Sequence, residues 1–332
     1  MKLENYESTL NLIDTEIAIK IVKEVFQEQL SKNLNLLRVT APLFVLQNSG
    51  LNDDLSGTEV PVSFNVKTET DALTIVHSLA KWKRMAVSKY NLKPGEGLYT
   101  DMNAIRKDEV LDNIHSIYVD QWDWEKVITL DNRNLDFLKN IVSNIYKAIK
   151  DTSSYISSIY PKLINYFKDE IHFITSSELE LMYPNLNSKQ REDEICKKYG
   201  TVCIMQIGGI LKNGNPPHDL RAPDYDDWDL NCDILTYYPP LESAIELSSM
   251  GIRVDAKSLY KQLEITDKLE KLKYSYHKKI INNELSLTIG GGIGQSRLCL
   301  IMLNKLHIGE VQSSYWDEAN LDYAKKNNIK LL

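Results

Sequence analysis

Residues 288–298 read TIGGGIGQSRL, and the four glycines in this stretch limit the folds that the chain can adopt. An apolar run precedes the glycines and SRLCLIMLNKL after them has helical spacing, so we expect strand, turn and helix. A dinucleotide-binding fingerprint would need glycine in place of Gln295, and a P-loop would need lysine after Gly294. Two interpretations remain open: a strand whose missing Cβ atoms let a planar ligand lie against the backbone, or a tight turn with packing glycines.

Hydrophobic spacing in the rest of the chain predicts both helices and strands. We expect helices at residues 17–30, 71–90, 134–150, 256–272 and 274–283. We expect extended segments at residues 34–46, 115–127, 201–207, 232–238 and 243–252, with Pro42 limiting the first to an edge or a break. Strands grouped with hairpin-like turns favour an α+β protein with an antiparallel sheet, and without repeats or linkers we expect one domain over residues 1–332.

The composition excludes several classes of protein. A chain of 332 residues with 43% hydrophobic residues can bury a large core. Its net charge of −7 gives no general attraction to nucleic acid or to anionic membranes, so we expect neither as a partner. No apolar run is long enough for a bilayer, no signal peptide is evident, and the four cysteines lack metal-binding spacing. We therefore expect a cytoplasmic protein.

An acidic segment, RAPDYDDWDLNCD, places five aspartates within ten positions after Arg221. Its spacing excludes an EF-hand loop, which would need glycine at position 229. In an extended segment Asp233 would share a face with Asp227 and Asp229, opposite Asp224 and Asp226. A solvated turn and a functional site both remain open.

Six blocks of the sequence together resemble a known family: HSLAKWKR, GEGLYTDMNAIRKDE, YVDQWDWE, RAPDYDDW, AIELSSMGIRVD and TIGGGIGQSRL. They are similar to ammonia-dependent asparagine synthetases, also called aspartate–ammonia ligases. The resemblance covers nearly the whole chain and implies the catalytic fold of class II aminoacyl-tRNA synthetases, an antiparallel sheet flanked by helices. LLRVTAPLF with Pro42 resembles the dimer-interface motif of that fold, so a homodimer is implied. Arg106 and Arg297 then match its second and third motifs.

The resemblance also implies the reaction. Aspartate and ATP would give β-aspartyl-AMP and pyrophosphate, and ammonia would then release asparagine and AMP. Two anions meet in the first step, so cations must offset their repulsion. Arg106 would hold the α-phosphate and the reacting carboxylate, with Gln121 donating a hydrogen bond beside it. From the residues alone, Arg106 could instead form a salt bridge to Asp108 or Glu109.

Further roles follow from the same resemblance. Lys83 would pair with a substrate carboxylate, although a lysine at this spacing could equally lie on a solvated helix face. Asp53 and Asp226 match acids expected to collect ammonium, although NDDLSG around Asp53 is also good turn chemistry. The other positions expected to bind the amino acid are Ser78, Asp123, Arg253, Gly291 and Gly292.

ATP binding is expected along the same strands. Asp233 and Glu246 would hold Mg²⁺ together with the ATP phosphates, because a few carboxylates and phosphate oxygens suit this cation. Arg297 would cover the adenine or contact phosphate. Ser249 and Gly294 complete the set expected at the nucleotide.

Two other functions compete with the ligase interpretation. An aspartyl- or asparaginyl-tRNA synthetase shares the implied fold, but such chains carry an anticodon-binding domain ahead of the first motif. Here LLRVTAPLF begins at residue 36, and the acidic net charge disfavours tRNA. A non-catalytic paralogue is also conceivable, but it should lack Arg106, Lys83 or the acids, and all of these are present.

Overall fold

The computed structural model describes residues 6–57 and 59–332. An eight-stranded sheet and a separate three-stranded sheet organise this part of the chain. The strands are β1 (Leu36–Arg38), β2 (Phe44–Leu46), β3 (Ser63–Phe64), β4 (Leu73–Ile75), β5 (Gly97–Ile105), β6 (Tyr118–Val127), β7 (Ile171–Thr175), β8 (Thr201–Met205), β9 (Asp226–Tyr238), β10 (Ser243–Arg253) and β11 (Thr288–Gly294). The helices are α1 (Leu12–Leu34), α2 (Ala80–Lys89), α3 (Leu135–Ile159), α4 (Ser176–Met182), α5 (Ser188–Tyr199), α6 (Ala256–Ile265), α7 (Ser275–Ile281), α8 (Gln295–Met302) and α9 (Glu318–Lys326).

The large sheet has the order β1-β5-β6-β11-β10-β9-β8-β7. Its six central strands pair antiparallel, as the sequence predicts, whereas the edge strands β1 and β7 pair parallel to their neighbours. The last strand of the chain, β11, therefore lies in the middle of the sheet, between β6 and β10.

One face of the sheet is covered by helices. The alternation in YVDQWDWE sends Trp122 and Trp124 to this face, where both are fully buried. Phe26 of α1 contacts Trp122 with ring centroids 4.5 Å apart. Helices α1, α3 and α8 supply the rest of this core, which explains their apolar stripes. The opposite face of β6, β10 and β11 is left for polar side chains.

Several predicted elements are confirmed, and others need correction. The helix predicted at 17–30 lies inside α1, and the one predicted at 134–150 begins one residue later, at Leu135 of α3. The strand predicted at 115–127 begins at Tyr118 of β6, and the one predicted at 243–252 is present as β10. The helix predicted at residues 71–90 begins only at Ala80, because its first part forms β4 and pairs with β2 and β3. Non-local pairing overrides local propensity there.

Two smaller differences concern chain breaks. The helix predicted at residues 256–272 ends at Ile265, and Asp267 then adopts a left-handed φ of 55° before a short 3₁₀ turn. The glycines at residues 290–294 do not form a turn but belong to β11, and α8 follows directly. The interpretation of TIGGGIG as strand floor therefore describes its structure, and the tight-turn interpretation is wrong.

Candidate active site

The floor of the candidate site is built from alternate residues of two neighbouring strands. Gln121, Asp123 and Glu125 of β6 face away from the helices, because the tryptophans between them face the core. On β11, Gly290 and Gly292 lie on this same face, paired with Glu125 and Asp123. A Cβ at Gly290 would overlap the Glu125 carboxylate, and one at Gly292 would lie 2.5 Å from the Gln121 amide oxygen. Glycine is needed here for close approach.

Gly291 has a different role from its neighbours. An added Cβ would point to the other face and lie 2.5 Å from Cβ of Met250. Its carbonyl oxygen, in contrast, accepts a hydrogen bond of 3.0 Å from Lys83. Gly294 leaves room for a Cβ, which would contact Arg297 at 3.4 Å. The glycines thus serve packing, ligand space and hydrogen bonding separately.

Arg253 sits at one end of the floor in a fully buried ion-pair network. Its guanidinium donates to both carboxylate oxygens of Glu125, at 2.7–3.1 Å, and to Asp226. Burial alone would raise the pKa of Glu125, but Arg253, with smaller contributions from Lys83 and Thr288, outweighs burial and the pKa lies below its usual value. The pKa of Asp226 lies above its usual value, because burial outweighs Arg253 there. Asp226 is thus the more easily protonated of the two acids.

Lys83 of α2 borders the cavity on the site face of the sheet, and its side chain is fully buried. It donates to the Asp123 carboxylate, to the Trp124 carbonyl at 2.9 Å and to the Gly291 carbonyl at 3.0 Å. Burial lowers the pKa of Lys83, and Asp123 opposes this shift. Since an ammonium has three donors, a substrate carboxylate reaching Lys83 must replace one of these acceptors. We call Lys83, Asp123, Glu125, Asp226 and Arg253 the paired end of the site.

A corner beside the paired end brings together acids that are far apart in sequence. Asp53 is buried, with 4% of its surface exposed, and its carboxylate accepts a hydrogen bond of 2.7 Å from Ser78. Tyr225 lies between the charges of Asp53 and Asp226, and burial followed by these two acids raises the pKa of Tyr225. The acids predicted to collect ammonium therefore border the same space.

The acidic segment is a buried strand rather than a solvated turn. Asp224, Asp226, Asp227 and Asp233 are all less than 9% exposed. A bulge in β9 breaks the simple alternation, so that Arg253 and Ser249 of β10 pair with Asp226 and Asp233 respectively. The expectation that Asp226 and Asp233 point to opposite faces is wrong. Three extra residues of β9 lie between the pairs Asn231–Gly251 and Asp226–Arg253, and this odd number brings both acids to the face of the site.

The other end of the floor is lined by cations, and we call Arg106, Arg221, Arg297 and Glu246 the arginine end. Arg106 donates one hydrogen bond of 3.2 Å to the His77 carbonyl. Arg297 lies 3.6 Å from the Glu246 carboxylate and donates to the Glu246 carbonyl at 3.1 Å. Burial would raise the pKa of Glu246, but Arg297, Arg221 and Arg106 together hold it below its usual value.

Arg221 is the site residue that the sequence did not identify. Its guanidinium forms ion pairs with Asp233 and with Asp219, the latter at 3.0 Å, and donates to the Ser249 hydroxyl at 2.7 Å. In the sequence, the only signal is that Arg221 precedes an acidic segment. Its contact with Asp233 depends on the path of the chain through the bulge in β9. Glu125 was missed as well, because outward-facing strand acids are usually solvated.

The residues predicted to hold a metal are only two. Among residues 6–57 and 59–332, no group of three or more His, Cys, Asp or Glu side chains is arranged to hold a metal ion. Asp233 nevertheless has one buried carboxylate oxygen without a hydrogen-bond partner among the described residues. The Glu246 side chain is 39% exposed to the cavity. Two carboxylates of this kind fit Mg²⁺ if phosphate oxygens supply further ligands.

Both ends open onto a single cavity of about 470 Å³. Every predicted site residue except Asp233 lines it, and Arg221 and Tyr225 line it too. The alternative interpretation of Arg106, a salt bridge to Asp108 or Glu109, is not among the ion pairs of the described residues, and Asp108 pairs with Lys107 at 2.7 Å. The cavity is thus lined by buried carboxylates and by arginine and lysine side chains. Such a lining suits a ligand that carries both positive and negative groups.

Comparisons with known proteins give one consistent match. The family model described as aspartate–ammonia ligase matches residues 13–328. The aspartate–ammonia ligase of Clostridium perfringens (strain SM101 / Type A) is 56% identical over 99% of this chain and 98% of its own length. That of Levilactobacillus brevis is 52% identical, again over 99% of this chain and 98% of its own length.

Solved structures with a similar fold are tRNA synthetases. Asparaginyl-tRNA synthetase from Entamoeba histolytica matches with a TM-score of 0.64 and 12% identity, over 91% of this chain and 67% of that one. The Pyrococcus horikoshii enzyme complexed with asparaginyl-adenylate gives 0.64 and 13%, over 92% and 70%. At this identity the likeness concerns the fold alone, and it confirms the expected class II synthetase architecture.

Proposed function

The chain belongs to the aspartate–ammonia ligase family. We propose that L-aspartate is amidated in the cavity of about 470 Å³, and that the residues described above catalyse the reaction through a β-aspartyl-AMP intermediate. The protein is an ATP-dependent ligase that makes L-asparagine from L-aspartate and ammonia. One observation carries the assignment of residues: buried acids and arginines from six separate segments line one cavity of about 470 Å³.

Adenylation is assigned to the arginine end. The β-carboxylate must attack the α-phosphorus, so two anions approach each other. Arg106, whose guanidinium makes a single hydrogen bond to the protein among the described residues, has donors to spare for both. Gln121 adds a neutral donor beside it, and Arg297 stacks on the adenine or contacts phosphate. Pyrophosphate leaves toward Arg221, Ser249 and Gly294.

Aspartate recognition is assigned to the paired end. Arg253 and Lys83 attract the α-carboxylate of aspartate. Asp123 binds its α-ammonium group, and the Ser78 hydroxyl contacts its polar groups. Gly291 and Gly292 provide the surface on which the substrate lies. These charged side chains already form ion pairs with one another. Aspartate therefore binds by replacing some of those ion pairs, and little side-chain ordering is needed.

Ammonia capture is assigned to Asp53 and Asp226. Ammonium is attracted by the two carboxylates but lacks a free lone pair, so a proton must leave before attack on the mixed anhydride. Burial raises the pKa of Asp226, which suits this carboxylate to accept that proton. The released ammonia attacks the β-carbonyl carbon, and AMP leaves with the electron pair of the broken C–O bond.

Mg²⁺ would be held by Asp233 and Glu246 together with ATP phosphates, and it would neutralise phosphate charge there. It would use the Asp233 carboxylate oxygen that has no hydrogen-bond partner among the described residues, while Arg221 keeps the other oxygen. We further propose a cytoplasmic homodimer of one catalytic domain per chain, without a nucleic-acid partner. Apolar side chains exposed at Leu37 and Phe44, next to Pro42, support the dimer. The described residues contain no helix long and apolar enough to cross a bilayer.

The decisive experiment incubates purified protein with Mg²⁺, ATP, aspartate and ammonium in the absence of tRNA and measures asparagine, AMP and pyrophosphate. Equal amounts of the three products are expected, and Arg106→Ala and Asp53→Ala should strongly reduce the rate of asparagine formation. Pyrophosphate exchange without asparagine would instead indicate an adenylate-forming enzyme with another acceptor. Binding of ATP and aspartate without exchange would indicate a non-catalytic paralogue.

A further inference from the structure

A buried group of charges lies directly behind the corner formed by Asp53 and Asp226. We call it the Asp224 cluster: Asp224, Lys81, Lys271 and His277. One carboxylate oxygen of Asp224 accepts hydrogen bonds from Lys81 at 2.6 Å, His277 at 2.9 Å and Lys271 at 3.0 Å. Asp224 and His277 are completely buried, and the lysines are less than 10% exposed.

The cluster is an unusual choice for a protein interior. Burial would raise the pKa of Asp224, but Lys81 and His277 outweigh burial and hold the pKa well below its usual value. The second carboxylate oxygen is buried and has no hydrogen-bond partner among the described residues. Well-packed apolar side chains often stabilise a fold as much as buried ion pairs do. Stability of the fold alone therefore does not explain why these charged residues are buried together.

That explanation lies in what the two lysines hold besides Asp224. Lys81 also donates to the backbone carbonyl of Asn52 at 2.9 Å. Lys271 also bonds the carboxylate of Asp54. The residues on both sides of Asp53 are thus tied to one carboxylate.

The same carboxylate belongs to the segment that carries the second acid. Asp226 follows Asp224 by two residues, and Gln262 holds the backbone between them through the carbonyls of Pro223 and Asp226, at 3.0 and 2.9 Å. A single buried charge therefore joins two segments that are more than 170 positions apart in the chain.

We propose that the Asp224 cluster is a positioning device that sets the spacing of Asp53 and Asp226, and through it the capture of ammonium. This inference rests on the proposed ligase function. The members of the cluster lie outside the cavity lining and touch no substrate, so they act only through Asp53 and Asp226. Arg106 and Arg297, which serve adenylation, make none of their hydrogen bonds to it.

The two half-reactions separate this role from a general structural one. Aspartate-dependent exchange of labelled pyrophosphate into ATP requires no ammonium and reports adenylation alone. Asparagine formation at varied ammonium concentration reports the corner as well. Because a small misplacement of a reacting group has a large kinetic effect, Lys271→Met is expected to raise the KM for ammonium about tenfold. The exchange rate should stay within about twofold of wild type.

Three further variants make the test specific. Lys271→Arg keeps the charge and should restore most of the ammonium KM. Asp54→Asn cuts only the outer link, at a partly exposed side chain, and should raise the ammonium KM by a smaller factor without risk to folding. Lys305→Met is the matched control, since Lys305 is also buried but donates to Ser8 and Thr15, at 2.6 and 2.8 Å, away from the corner.

The outcomes divide clearly. A raised ammonium KM with intact exchange, in Lys271→Met and to a lesser degree in Asp54→Asn, supports the positioning role. A parallel fall of both half-reactions, or an unchanged ammonium KM in both variants, overturns it while the ligase function stands. If wild-type protein performs exchange but never makes asparagine from ammonium, the proposed function itself fails.

Discussion

Arg253 and Arg297, at opposite ends of the cavity, are held in opposite ways. Arg253 at the paired end is 1% exposed and its guanidinium is engaged by two carboxylates. Arg297 at the arginine end has a side chain that is 22% exposed, and its nearest carboxylate oxygen is 3.6 Å away. An arginine that is ion-paired within the protein helps to fix the shape of a site. An arginine with unused N–H donors can bind a ligand. The difference indicates a division of roles: the paired end recognises aspartate with fixed side chains, and the arginine end neutralises the charge of the ATP phosphates.

The strongest way to break this contrast is to remove the ion-paired arginine. Arg253→Met would leave Glu125 and Asp226 buried without a counterion, and such a change lowers the free energy of unfolding by about 3–5 kcal/mol. Urea denaturation followed by circular dichroism would measure it. Arg106→Met is the control, because loss of its one hydrogen bond, from the guanidinium to a backbone carbonyl, should lower this free energy by about 2 kcal/mol or less. Equal destabilisation by both variants would remove the distinction.

The arginine end should show the reverse behaviour. Arg106→Ala is expected to reduce kcat by about 10²–10³, because a donor to developing charge is lost while the fold is retained. Steady-state asparagine formation and pyrophosphate exchange should fall together. An Arg106→Ala protein that keeps exchange but loses asparagine formation would move Arg106 out of the adenylation step. Arg297→Ala should mainly raise the KM for ATP.

How far these features follow from the sequence differs between the two ends. The glycine strand, Arg106 and Arg297 stand in recognisable blocks, so their place in one site could be predicted. Arg221 could not, because its contact with Asp233 depends on a bulge that no local pattern signals. The Asp224 cluster joins four segments through side chains, and spacing along the chain carries no trace of such contacts.

The fold shows the same limit. Strand β6 and helix α3 follow from strong periodicity, whereas β4 was mistaken for the start of a helix. Its three residues, Leu73–Ile75, are stabilised by strands on both sides, one of which is Phe44–Leu46. Pairing partners that are distant in the chain decide such short strands, and local propensity does not.

Substitutions at two glycines of β11 test the same contrast, with smaller expected effects on stability. Gly290→Ala would drive a methyl group into the Glu125–Arg253 pair, and overpacking of this kind lowers the free energy of unfolding by about 1–3 kcal/mol. Gly292→Ala meets only the end of Gln121, which can turn aside, so stability should change less while the KM for aspartate rises. Thermal unfolding and substrate kinetics on both variants would measure this. Equal losses of stability would mean that the floor is uniformly rigid.

The smallest effect concerns acid sensitivity. Glu125 has a lowered pKa, so its contribution to stability is complete above the ordinary glutamate value of 4.5 and is lost as pH falls through the folded value. Asp226 acts in the opposite sense, because its raised pKa favours protonation in the folded protein. In Glu125→Gln, the slope of unfolding free energy against pH below 4.5 should decrease by up to about 1.4 kcal/mol per pH unit. Urea titrations at several pH values would detect it, and an unchanged slope would contradict the assignment.

The position of β11 has a consequence for how the chain is made. Until residues 288–294 leave the ribosome, β6 and β10 have no partner between them, and the sheet exists as two separate halves. Each half then exposes an unpaired edge, which is a template for association with other chains. The last seventh or so of the chain, from Thr288 onward, thus closes the sheet and completes the cavity in one event. We expect synthesis that stops short of it to yield an inactive protein that is prone to aggregate.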